Sequence, residues 1–219
     1  MSQPDTLYIV DMDRCTLDTD AAMHHLASVL ESFGLDHITA EAERRTVMQK
    51  GDYVEVWTHL VTDIFPRYDL DEATVEAAYM DGSPDRSLLY PGVPELFDHL
   101  SNVFVMTFGG QKWQAMKAKR SGIIEFAPVL VVDTHEKGRL IADARQPDGG
   151  YSFQLNGRVI TGKSVVLVDD KASAFIGLPD DCRGYQINSG KWFPFQEGTL
   201  PSNATLLPDF TAFIEKENL

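Results

Sequence analysis

Cysteine is scarce: the 219 residues hold two, Cys15 and Cys182. Two thiols cannot build a disulfide framework, and they show no zinc-ligand spacing. Both read as free thiols in a reducing compartment. Long apolar runs are also missing. The clearest, Val129-Leu130-Val131-Val132 and Val165-Val166-Leu167-Val168, are strand-sized, against the roughly 20 residues of a membrane-crossing helix. The opening Met-Ser-Gln-Pro-Asp-Thr has neither the basic flank nor the apolar stretch of a secretory signal, so the cytoplasm is the expected location. Positive charge is short as well: 19 Lys and Arg face 33 Asp and Glu, for a formal net charge of −14. Such a balance repels nucleic acid and anionic lipid, and neither is an expected partner. The compact basic group Lys112, Lys117, Lys119 and Arg120 reads as a solvated helix face. No internal repeat and no low-complexity tract interrupts the chain.

What is present is ordinary for a globular protein: 43% hydrophobic and 24% charged residues, which argues against disorder or a fibre. The length suits one generous domain, or one domain carrying a smaller insertion. Four apolar runs share one pattern. Leu7–Val10 ends in Asp11, Val103–Met106 in Thr107, Val129–Val132 in Asp133 and Val165–Val168 in Asp169. Runs without alternation suit strands buried on both faces, and helical stretches between several of them predict an α/β fold with a parallel, Rossmann-like sheet flanked by helices. Ligands of such sheets bind beyond the carboxyl ends of the strands, where three carboxylates and a hydroxyl are expected to converge.

Between the first and second runs lie about ninety residues without a comparable strand. Met23, Leu26, Ala27 and Leu30 fall at helical spacing within residues 20–30, with Gly34 as a stop. Further helices are predicted around residues 40–49, 53–64 and 71–79. The expected organisation is a sheet domain of residues 1–18 and 89–219, with an α-helical insertion of residues 19–88. Tyr90-Pro91-Gly92-Val93-Pro94 marks the return to the sheet, and Glu95–Leu100 feeds the second strand. Asn156-Gly157 between short alternating runs predicts a β-hairpin, and a closing helix follows Pro208.

The first strand leads into Asp11-Met12-Asp13-Arg14-Cys15-Thr16-Leu17-Asp18. Two carboxylates two residues apart beyond a buried strand can face one site, one attacking phosphorus and the other handling the leaving-group proton. An isolated Asp-x-Asp would be only an acidic turn. Val168-Asp169-Asp170 repeats the pattern downstream, and carboxylates gathered in one crevice repel one another unless a cation sits among them. An all-oxygen ligand set beside a phosphate suits a magnesium ion (Mg2+).

These motifs resemble the haloacid dehalogenase (HAD) superfamily, in its phosphatase branch with a helical cap inserted after the first motif. The resemblance covers most of the chain outside the cap. It implies that Asp11 forms an aspartyl-phosphate, that Asp13 is the general acid and base, and that Asp11, Asp13, Asp169 and Asp170 surround the magnesium. It also implies that Thr107, with the amides of Phe108, Gly109 and Gly110, holds a phosphoryl oxygen. The lysine that neutralises nucleophile and phosphate is expected to be Lys137, with Lys163 as rival; Lys117 and Lys119 are expected to be solvated. The pattern departs at three positions: Arg14 stands where Gly is usual, Cys15 where Thr is usual, and Thr16 where an apolar residue is usual.

The implied function is a magnesium-dependent phosphatase acting on a small phosphorylated metabolite. A phosphomutase, or a catalytically silent binding module that keeps the fold, remains the alternative. A dehalogenase has no need of Asp13 to protonate a leaving oxygen, and a phosphonate hydrolase would need a cap lysine, for which Lys50 is poorly placed. His24 and His25 read as surface residues of the first cap helix, and Trp57, Phe65 and Tyr68 as cap core. Trp192 and Phe193 could cover the edge of the site or simply pack. Cys15 is redox-relevant if it lines the pocket and inert if buried.

Overall fold

The computed structural model describes residues 5–48, 54–187 and 199–219, and the structural statements below concern those residues. Lys50, Trp192 and Phe193 lie outside them. Six strands form one parallel sheet in the order β3-β2-β1-β6-β7-β8, with β1 Thr6–Val10, β2 Val103–Phe108, β3 Val129–Val132, β6 Ser164–Asp169, β7 Arg183–Ile187 and β8 Ala204–Leu207. The four expected apolar runs are β1, β2, β3 and β6. The two further strands carry the sequences RGYQI and ATLL, in which polar or small residues interrupt the apolar run.

Both faces of the sheet are covered, which is why its central strands are continuously apolar. Leu7, Ile9, Phe104, Met106, Val165 and Leu167 point to one side, where Ile141 of helix α7 (Lys137–Asp143) and the hairpin β4–β5 (Tyr151–Leu155, Arg158–Gly162) pack. Asn156 and Gly157 turn that hairpin with φ of 48° and 78°, as a two-residue primed turn requires. On the other side Tyr8, Val10, Val105, Val166 and Val168 meet α5 (Val93–His99) and α8 (Phe210–Glu217).

A helical cap is inserted between β1 and α5. It comprises α1 (Thr19–Ser32), α2 (His37–Met48), α3 (Val56–His59), a π-helical turn Leu60–Ile64 and α4 (Glu72–Tyr79). The Asp18 carboxylate accepts the amide of Ala21 and starts α1, while Gly34 at φ 75° ends it. The cap has its own apolar core, including Leu26, Leu30, Trp57, Leu60, Phe65 and Tyr79, and it is completed by Trp113 and Met116 of α6 (Gln111–Arg120). Trp57 stacks parallel to Trp113 at 6.2 Å between centroids. Trp57 and Phe65 are core residues as expected, but Tyr68 is 46% exposed. It closes a 3-10 turn before the left-handed Asp69, which carries it out to solvent.

Helix α8 is pinned to β7 by one carboxylate. Glu217 accepts from Arg183 Nε and Nη2 at 3.0 and 2.7 Å and from the Tyr185 hydroxyl at 2.6 Å. Burial works to raise the Glu217 pKa, but the hydrogen bonds from Arg183 and Tyr185 outweigh it and hold it below the usual carboxylate range. A depressed folded-state pKa contributes stability above the unfolded value, and that contribution is lost as pH falls through the folded one. Glu217→Gln should therefore unfold in urea with about 1–2 kcal/mol less stability at pH 7, Arg183 being half-exposed. The gap should close below about pH 4; a gap that persists at acid pH would show that the charge is not its source.

Candidate active site

The order of the sheet reverses between β1 and β6, so the crevice beyond their carboxyl ends is the natural ligand site. Asp11 directly follows β1, Asp169 ends β6, and Thr107 lies near the end of β2. Asp133 follows the edge strand β3 and is exposed. It is two strands from the reversal, so the expected convergence of four strand ends becomes one of three.

Asp11, Asp169 and Asp170 bring ligand oxygens within 4.8 Å of one another. Lys137, which opens α7, is 2% exposed and donates to Asp11 Oδ1 and to Asp169 Oδ2, the latter at 2.6 Å. Lys163 pairs instead with Asp5 at 2.8 Å in solvent, at the amino end of β6.

One ammonium among three carboxylates leaves negative charge in excess. Burial pushes the Asp11 pKa up to about 7, with Lys137 opposing and Asp169 adding to the rise. Burial, then the charges of Asp11 and Asp169, pushes Asp170 up to about 8. Lys137 is driven the other way round: burial disfavours its charge, but Asp11 and Asp169 more than compensate and raise its pKa. Asp170 Oδ1 is buried without a hydrogen-bond partner among the described residues. Crowded hard oxygens with an orphaned carboxylate oxygen are compatible with a magnesium ion.

Asp13 stands outside this acidic group. Its carboxylate accepts from Lys117 Nζ, from Gln114 Nε2 at 2.8 Å and from Thr19 Oγ1 at 3.0 Å. Burial would raise its pKa, but Lys117 first, then Gln114 and Thr19, hold it low. The side chain is thus turned to α6 and the start of α1 rather than toward Asp169. Lys117 is 2% exposed, which corrects the expectation of a solvated lysine. It sits one helical turn after Trp113, on the buried side of α6, and that i, i+4 relation was the signal available in the sequence.

The three departures from the expected motif each have a local explanation. Arg14 adopts φ 63°, so the loop keeps a left-handed residue where Gly is usual, at a cost of about 1 kcal/mol. Its amide donates to Leu17 O and Thr19 Oγ1. Thr16 is fully buried, and its hydroxyl donates to the carbonyls of Asp11 and Met12 at 2.9 and 3.3 Å. Cys15 is fully buried, and burial, then Asp11, pushes its thiol pKa well up. It is therefore the inert thiol of the two cases considered.

Around Thr107 the structure refines the expected cradle. Gly109 donates its amide to Val132 O at 3.3 Å, so that amide is already used. At φ 145°, a Cβ there would lie 2.5 Å from Gln114 Nε2. Gly109 thus gives clearance for Gln114 to reach Asp13 and the Phe108 carbonyl. Thr107 is fully buried and its hydroxyl has no partner among the described residues. His24 is exposed, and His25 Nε2 lies 3.1 Å from Tyr79 O while accepting from Arg120 Nε. The histidine pair is therefore cap structure rather than part of the acidic group. No helix among the described residues is long and apolar enough to cross a membrane.

A parallel sheet with this strand-end crevice and a helical insertion after β1 is the haloacid dehalogenase-like fold. No family sequence model and no curated protein sequence matches the chain. Solved structures do. A haloacid dehalogenase-like hydrolase from Burkholderia xenovorans LB400 superposes with a TM-score of 0.68 at 18% identity, over 98% of this chain and 97% of that one. The HAD-hydrolase YfnB of Bacillus subtilis, bound to magnesium, gives 0.56 at 13% identity over 100% of both chains. L-2-haloacid dehalogenase from Xanthobacter autotrophicus gives 0.52 at 10% identity, over 98% of this chain and 99% of that one. At these identities the likeness is one of fold.

The Thr107 hydroxyl separates a structural role from a binding one. An unpaired buried hydroxyl destabilises the folded state, so Thr107→Val should raise stability in urea by about 1 kcal/mol. A loss of stability of that size would instead make the hydroxyl a structural contact.

Proposed function

We propose that the protein is a magnesium-dependent phosphatase that hydrolyses a small phosphorylated metabolite through an aspartyl-phosphate on Asp11. The observation that carries this reading is the crevice itself: Asp11 held by Lys137, beside Asp169 and Asp170, with the unpartnered Thr107 hydroxyl on the adjacent strand. Asp11, Asp169 and Asp170 would hold the magnesium, whose chemistry is to offset repulsion between the nucleophile and the phosphoryl oxygens. The magnesium bound by the B. subtilis hydrolase of the same fold supports the choice of ion.

The protein's own groups divide the remaining work. Lys137 fixes the Asp11 carboxylate and neutralises part of the charge that an approaching phosphate meets. Thr107 donates to a phosphoryl oxygen. In the first half-reaction Asp11 attacks phosphorus, the P–O ester bond breaks, and the departing alkoxide takes a proton from Asp13. That proton is supplied by the Lys117 ammonium hydrogen-bonded to Asp13 Oδ1, and Asp13 relays it to the alkoxide. In the second half-reaction water attacks the aspartyl-phosphate, Asp13 takes its proton and returns it to Lys117, and inorganic phosphate and free Asp11 result. A dehalogenase reading leaves this proton machinery without a task, because halide departs without protonation. The cleft between cap and sheet, about 1210 Å³, has room for a small molecule, and the cap residues around it carry specificity. The proposed division is a catalytic sheet domain of residues 1–18 and 89–219 and a cap of residues 19–88.

Phosphate release from an aryl phosphate should require magnesium, stop on chelation, and fall about 10⁴-fold or more in Asp11→Asn. Magnesium should also raise the thermal midpoint of the wild type, and Asp169→Asn should lose that shift. An Asp11→Asn protein with undiminished turnover would refute the assignment of the nucleophile.

A further inference from the structure

The cleft contains two buried polar atoms that neither the fold nor the proposed chemistry uses. Gln114 is 3% exposed, and its Nε2 donates to Asp13 Oδ2 and to the Phe108 carbonyl. Both of those partners can only accept, which fixes the orientation of the amide. Its Oε1 is left as a buried acceptor with no partner among the described residues. His59 is 5% exposed and lines the same cleft from the cap. Its Nδ1 lies 3.1 Å from Asp63 Oδ2, and a carboxylate accepts, so Nδ1 carries the proton. In that tautomer Nε2 is also an unpartnered acceptor among the described residues.

Two further observations mark His59. It is the last residue of α3 and directly precedes the π-helical turn Leu60–Ile64, a rare local geometry that recurs at functional sites. Helix α3 also packs on α6, which carries Gln114, so the two acceptors come from adjoining elements that both line the cleft.

The charged residues of the cleft give the complementary half of the argument. Arg44 donates to both carboxylate oxygens of Glu41, and Arg45 donates to Glu41 Oε1. Lys117 is bound to Asp13, and Arg14 lies 3.9 Å from Asp20. The guanidinium and ammonium groups on the cap side are thus matched within the protein. Lys171 directly follows Asp169-Asp170, on the phosphate side. The cap side therefore offers acceptors, not spare cations.

We propose that Gln114 Oε1 and His59 Nε2 accept hydrogen bonds from hydroxyl groups on the alcohol half of the substrate, so that the preferred ester is a sugar or polyol monophosphate. This inference rests on the phosphatase reading. A second carboxylate or phosphate on the substrate would set acceptor against acceptor, and an aryl group would leave both atoms desolvated and unpaired.

The test compares three monophosphates that differ only in the alcohol half: a hexitol 6-phosphate, phenyl phosphate and 2-phosphoglycolate. The wild type should show at least about tenfold higher kcat/KM for the hexitol ester than for the other two. His59→Phe should cut that preference at least about tenfold. Calorimetry on Asp11→Asn with magnesium should show the hexitol ester binding more tightly than inorganic phosphate, with the difference removed by adding His59→Phe. Preference for 2-phosphoglycolate, or a His59→Phe loss equal across all three esters, overturns the inference. If no ester is turned over but the calorimetric difference and its loss persist, the phosphatase reading fails and the hydroxyl recognition stands.

Discussion

The structure depends on a shortage of positive charge at one place. Three carboxylates meet beyond the carboxyl ends of β1 and β6, and among the described residues Lys137 alone bridges Asp11 and Asp169. Burial removes the water that would otherwise screen them, so Asp11 and Asp170 are pushed toward neutrality. A fold that only needed to be stable would not gather these groups, because buried ion pairs rarely repay their desolvation. A divalent cation among the three carboxylates would supply the positive charge that they lack.

The second carboxylate of the opening loop is treated differently. Asp13 is drawn away from the acidic group by Lys117, Gln114 and Thr19, which hold its pKa low. Two aspartates separated by one residue therefore acquire opposite electrostatic settings. One is crowded by like charge and the other is matched by a buried ammonium. Helix α6 is central to this, since its buried side completes the cap core with Trp113 and Met116 and also grips Asp13 with Gln114 and Lys117. The cap thus packs on the same helix that positions Asp13.

Much of this was legible in the residues. The runs at β1, β2, β3 and β6 are continuously apolar because both sheet faces are covered, and that is a local pattern any reader can see. Asn156-Gly157 and Gly34 were legible for a different reason: each marks a backbone conformation few other residues accept. Strands β7 and β8 escaped because polar or small residues interrupt them, toward one side of the sheet where such residues are tolerated. Lys117 escaped because its partner is 104 residues away. Composition made α6 a solvated basic helix, and only tertiary pairing makes one of its lysines a core residue. The orphan acceptors at Gln114 and His59 could not be read at all, since an unmade hydrogen bond has no sequence pattern.

The departures in the opening loop show how a motif can change its letters and keep its mechanics. A left-handed residue is needed after Asp13, and Arg14 supplies it at φ 63° with its amide tied to Leu17 and Thr19. A polar residue at position 16 would be costly in a fully buried site, and Thr16 avoids the penalty by donating to the carbonyls of Asp11 and Met12. That bond reaches the backbone of Asp11 itself, so Thr16 adds a fixed point beneath it. What the loop must conserve physically is the direction in which Asp11 and Asp13 leave the strand, and the hydrogen bonds around them set that direction whatever residues supply them.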